Sequence, residues 1–175
     1  MNFRSNRLAA ALAAGVFAGT LASVTHPVVA QGAGVCPSPP AVAAPAPVHV
    51  RAPAEILELR VADNVVKREY GLMCVRSLPA RIGMIFVFSD GDNLRDFWMK
   101  NTLIPLDMVF VSKNGLVNDV HANVPSTTVD TPDAKIPHRD GTGTYVIELA
   151  AGEAARAGIK PGVVLGIRGV RAERE

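Results

Sequence analysis

The chain has 175 residues, 49% apolar and 19% charged, enough apolar matter to bury one core of ordinary size and too much for a chain disordered throughout. Its 18 Lys and Arg outnumber 16 Asp and Glu by two, and both surplus charges, Arg4 and Arg7, lie in the first 30 residues, which hold no acid. The other 145 residues carry 16 bases against 16 acids, so no basic face for nucleic acid or anionic lipid is expected.

Arg4 and Arg7 open a secretory pattern: a positive start, an uncharged Ala-rich run from Leu8 to Leu21, then the small residues Val28-Val29-Ala30. Residues 1–30 are expected to be a signal peptide cleaved after Ala30. The apolar run is shorter than the roughly 20 residues of a spanning helix, so the mature protein is expected to be exported, periplasmic or extracellular, without a membrane span. Residues 31–53 contain six of the 13 prolines and one formal charge, Arg51, and read as a disordered Pro/Ala-rich tether. Residues 54–170 are left as the folded unit and 171–175 as a frayed charged tail.

Within that unit Leu57, Leu59 and Val61 alternate with Glu58 and Arg60, the period of a half-buried strand. Asp63 or Asn64 is placed to cap a short helix carrying Val65, Val66, Glu69 and Tyr70, and Gly71 to end it. Gly83 to Phe88 is apolar on both faces and predicts a central, covered strand. A short strand is expected at Phe97 to Met99 after a polar loop, Asp90 to Arg95. Leu106 to Val111 and Leu116 to Val120 flank Lys113-Asn114-Gly115, a hairpin signal. Residues 121–143, with Pro125, Pro132 and Pro137, read as a long loop. Tyr145 to Leu149 predicts a strand, Ala151 to Ala157 a short helix stopped by Gly158, and Val163 to Ile167 a last strand. The fold class is α+β: a mainly antiparallel sheet curled towards a small barrel, with two short helices.

Three runs are more specific than these patterns: Gly71-Leu72-Met73 followed by Arg76, Gly83-Met84-Ile85-Phe86-Val87-Phe88, and Phe97-Trp98-Met99-Lys100-Asn101-Thr102 with Ile104-Pro105-Leu106-Asp107. Together with Asn123-Val124-Pro125 and Val146-Ile147-Glu148-Leu149-Ala150-Ala151-Gly152, their order and spacing resemble the DUF192 family of small prokaryotic domains, often exported, for which the resemblance implies no established activity. Two positions depart from the family's usual pattern: Val75 stands where an Arg is usual, and Val163 where an Asp follows Gly.

Strand alternation places Asp96, Trp98 and Lys100 on one face, an aromatic ring between opposite charges that suits a sugar, peptide or other ring-bearing ligand or else packs under the neighbouring loop. Lys100, Asn101, Thr102 and Asp107 either meet where two strands end or cap local turns. Acid-base chemistry by Asp107 would need a second titrating group, such as His121, His138 or Glu148. Ser nucleophile elbow, His-Glu-x-x-His, phosphate-loop and dinucleotide patterns are missing, so no cofactor is expected. Met73, Met84, Met99, Met108, Cys74 and His121 suggest a soft metal, but Met84, Met99 and Met108 fall at core-facing strand positions where Met fills space, so no metal is expected. Cys36 and Cys74 are the two cysteines; in an oxidising compartment they either pair, stapling the tether to the end of the helix, or stand as a free and a buried thiol.

The sequence thus reads as an exported domain that binds a small molecule or cell-envelope component without catalysis, through Trp98, Lys100, Asn101 and Asp107. The alternatives are an enzyme acting on an envelope sugar or peptide with Asp107 as acid or base, and a structural accessory domain without ligand. Composition leaves the oligomeric state open.

Overall fold

The structure, a computed structural model, describes residues 34–41, 43 and 45–173. The expected signal peptide and the start of the tether lie outside them.

Among the described residues, eight strands and two short helices follow one another as β1 (Val48–Arg51), β2 (Ile56–Ala62), α1 (Val65–Tyr70), β3 (Ile82–Val87), β4 (Asn93–Trp98), β5 (Leu106–Val111), β6 (Val117–Val124), β7 (His138–Gly143), β8 (Tyr145–Ala150) and α2 (Glu153–Arg156). Six strands form one sheet in the order β1-β2-β3-β8-β5-β6, and β4 and β7 form a separate antiparallel ribbon. The fold is α+β and mostly sheet. All pairings are antiparallel except β2 with β3, which α1 connects as a crossover. The sheet is open among the described residues: β1 and β6 are its ends and no ladder joins them, so the curl towards a barrel is not part of the observed pairing.

Both faces of the central strands are covered, as continuous apolar strands require. On one face Leu57, Leu59, Ile85, Val109, Ile147 and Leu149 pack with Ala154 and Ala157 of the α2 region and with Ile159 and Leu165. On the other, Phe86, Met108, Phe110 and Val146 pack with Leu72, Met99 and Phe97, whose ring meets Phe86 edge-on at 4.9 Å and Phe110 at 5.9 Å. Phe97 thereby anchors the β4-β7 ribbon on this face.

Several boundaries differ from the sequence reading. The fold begins at Val48, inside the expected tether, because Val50 is fully buried and Val48 to Arg51 pair with β2 in spite of the flanking prolines. β4 starts at Asn93, within the expected polar loop. The expected loop over 121–143 contains the end of β6, a 3₁₀ turn at Asp133–Lys135, and β7. β7, His-Arg-Asp-Gly-Thr-Gly, has no apolar alternation because the position it lays on the sheet is a glycine: a Cβ on Gly141 would come within 2.3 Å of the Phe110 ring. The expected last strand is reduced to two isolated bridges, Leu116 with Val164 and Arg51 with Gly166. Nor is the tail loose up to Glu173, whose N–H donates to the Asp63 carbonyl at 2.9 Å and whose carboxylate accepts from Asn64 and Lys67.

Candidate functional site

The three sequence runs come together beside the ribbon. α1 starts where Asn64, in extended backbone, accepts the Lys67 N–H at 3.0 Å, and the Lys67 ammonium is held 2.7 Å from Asp63. Asp63 is the main cause of the upward shift in the Lys67 pKa. The helix ends at Gly71, whose positive φ of 50° turns the chain down against the Phe86 ring, where a Cβ would approach to 3.1 Å. Leu72 is thereby buried and Met73, half-buried, lines the neighbouring cavity. At the end of β4 a tight turn reverses the chain: Thr102 N–H donates to the Met99 carbonyl, and Asn101 takes a positive φ of 52°. Asn101 ties the two runs together, its carbonyl accepting from Cys74 N–H at 2.8 Å and its amide reaching Met73 Sδ at 3.8 Å.

Between these runs lies a cavity of about 30 Å³, bordered by Arg68, Tyr70, Trp98, Lys100, Thr102 and Glu148 among others. Glu148 comes from the middle of β8, flanked across the sheet by Met84 and Met108. It is 5% exposed, and no hydrogen bond satisfies its carboxyl among the described residues. Burial alone pushes its pKa up to about 8, because nothing there stabilises the charged form.

The cavity adjoins a wider groove of about 360 Å³, walled by Val65, Arg68 and Glu69 of α1 on one side and Asp96 and Trp98 of β4 on the other, over Phe88 and Phe97. Trp98 is 43% exposed. The Lys100 ammonium sits 5.1 Å from the Trp98 ring centre and 3.0 Å from Asp133. Asp96 pairs with His138, directly across the ribbon from Trp98. Arg68 donates to the carbonyls of Asp63 and Val87 and lies over Phe88.

Of the residues singled out in the sequence, Trp98 and Lys100 border the cavity and Asn101 braces its wall. Asp107 is placed elsewhere. It is 0% exposed, and its two oxygens accept from backbone N–H groups, Asn123 at 2.8 Å and Ala154 at 2.9 Å. It stands opposite Leu149 and Glu148 opposite Met108, so the two carboxyls lie on opposite faces of the sheet. His121 donates its Nε2–H to the Asp140 carbonyl at 2.9 Å and meets Phe110 edge-on, also away from the cavity. Sequence reasoning weighed Glu148 only as a companion for Asp107 and passed over Arg68 and Tyr70; the available signal was a carboxyl inside the apolar run Tyr145 to Leu149.

Cys36 and Cys74 are joined by a disulfide, S–S 2.14 Å. It lays the segment around Pro37 along α1, where Tyr70 donates its hydroxyl to the Pro37 carbonyl at 3.3 Å.

The profile of the family DUF192, described as an uncharacterized ACR, matches residues 48–167. Two solved structures are similar to the chain. One, from Sinorhizobium meliloti and provisionally described as a transcription regulator, is 30% identical over 67% of this chain and 88% of its own, with a TM-score of 0.58. The other, a protein of unknown function from Novosphingobium aromaticivorans, is 30% identical over 71% of this chain and 93% of its own, with a TM-score of 0.55. No curated protein matches.

Proposed function

The chain belongs to the DUF192 family, and for this member we propose non-catalytic binding of a small molecule or cell-envelope component in the groove between α1 and β4. One observation carries the reading: runs distant in sequence, around Gly71, Trp98 and Glu148, converge on a cavity whose buried carboxyl has no partner among the described residues. An unpaired buried carboxyl destabilises a fold, so its retention beside an exposed tryptophan fits a group that a ligand satisfies. For the rival in which Asp107 serves as acid or base the geometry offers little support, since two backbone N–H groups already occupy its oxygens. Binding to nucleic acid, in view of the Sinorhizobium description, draws no support from a chain with balanced charge beyond residue 30. Placement in the periplasm or outside the cell rests on the leader pattern, and the Cys36–Cys74 bond is in keeping with an oxidising space.

Trp98 is the single tryptophan, so its emission reports on the groove directly. Titration with sugars, amino sugars, amino acids and short envelope peptides is expected to give a saturable change for one class, weakened in Lys100→Ala. A flat response to every class at millimolar concentration would sink the proposal.

A further inference from the structure

Resting on that binding reading, we propose that the Glu148 cavity is the seat of a primary ammonium group carried by the ligand. Four charged residues border the cavity: Arg68, Glu69, Lys100 and Glu148. The two cations are engaged, Lys100 with Asp133 and the Trp98 ring, Arg68 with two carbonyls and the Phe88 ring. Neither Glu69 nor Glu148 has a hydrogen bond or ion pair among the described residues. The unmatched groups of the cavity among the described residues are therefore its carboxyls, exposed Glu69 and buried Glu148, which favours a cation over an anion.

Four aromatic residues, Tyr70, Phe86, Phe97 and Trp98, also border it. Aromatic rings attract cations through their quadrupole, and they desolvate the site so that a charge-assisted bond to Glu148 counts for more than it would in water. Size narrows the class. About 30 Å³ holds one or two water-sized groups, enough for an ammonium head and too little for trimethylammonium. The adjoining groove has room for the body of the ligand over Phe88 and beside Trp98.

The seat also has a proton balance. With its pKa raised to about 8, Glu148 carries a proton at neutral pH. Among the described residues the other titratable groups bordering the cavity are Glu69, Tyr70, Lys100 and Arg68, and the neighbours of Glu148 across the sheet are Met84 and Met108. Binding of an ammonium ion then leaves a carboxylate paired with the ammonium and releases one proton to solvent. Affinity should rise about tenfold per pH unit below pH 8, as long as the amine keeps its own proton, and fall again once the amine is deprotonated.

Calorimetry with ethanolamine, lysine and glucosamine, which present one ammonium on three bodies, tests this against choline and N-acetylglucosamine. At pH 7 at least one primary amine is expected to bind with a heat that depends on the buffer's ionisation enthalpy, at least tenfold more tightly than choline. Their rank shows which body the groove takes. Glu148→Gln, isosteric with the protonated acid, is expected to lose that binding at least tenfold together with its buffer dependence. Equal affinity for choline, unchanged binding in Glu148→Gln, or affinity in the wild-type protein that is flat from pH 6 to 8 each overturns the ammonium seat. Binding of N-acetylglucosamine with the amines silent overturns it while leaving the groove as a binding site. Silence from all five probes, together with no Trp98 response to the wider panel, ends both.

Discussion

Asp107 and Glu148 occupy neighbouring strands one register step apart, and their carboxyls face opposite sides of the sheet. Each oxygen of the first accepts from a backbone N–H group, and the second has no partner among the described residues. Two acids of similar burial therefore have opposite energetic roles, and four measurements follow from this contrast and from the packing around it.

Removing Asp107 should damage the fold and leave the groove working. Asp107→Ala strands the N–H groups of Asn123 and Ala154 in the interior, at a cost of about 2–4 kcal/mol in urea unfolding. Asp107→Asn, which keeps one acceptor oxygen, should cost less. A loss of Trp98 ligand response without loss of stability would instead make Asp107 part of the site.

Glu148 should make the protein less stable as pH rises. Its pKa goes from the ordinary carboxyl range in the unfolded chain to about 8 in the fold, so between those values the native state holds the extra proton. Unfolding free energy then falls with increasing pH, from about pH 4.5 to about pH 8, by on the order of 5 kcal/mol relative to a neutral side chain. Glu148→Gln is expected to match the wild type near pH 4 and to exceed it at pH 8 and above. Parallel stability curves for the two proteins across this range would refute the unpaired carboxyl.

Gly141→Ala should lift the ribbon from the sheet, because the added methyl collides with the Phe110 ring. Overpacking of this kind costs about 1–3 kcal/mol. Combining it with Phe110→Leu should cost less than the sum of the two single changes, which a double-mutant cycle in thermal or urea unfolding measures.

The disulfide closes a sequence separation of 38 residues. Cys36→Ser should lower stability by about 2–4 kcal/mol through greater freedom of the unfolded chain. In the wild-type protein, intact mass should not change on thiol alkylation without reductant; two alkyl adducts would show that the bond is absent.

What could be read in the sequence depended on which residues carry side-chain signal. β2, β3, β5 and β8 announce themselves by alternating or continuous apolar residues, and α1 by Asn64 and Gly71. β7 could not, since its sheet-facing contact is a glycine and its remaining positions are polar residues and a second glycine, Gly143. β1 is masked by prolines on either side, although Val50 is one of the fully buried side chains. At the site, Trp98, Lys100 and Asn101 could be named because they share one short run. Glu148 required the register of β8 against β5, which decides facing and is not contained in either strand alone.

The strand at the middle of the sheet, β8, comes last in chain order of the strands among the described residues. β8 bridges β3 and β5, so until residues 145–150 have left the ribosome the β1-β2-β3 segment and the β5-β6 hairpin have no common partner. Each would expose unpaired backbone along the edge that β8 later fills. Until β8 is in place, the partly folded chain stays open to chaperones. A product truncated ahead of Tyr145 would keep its two sticky edges for good.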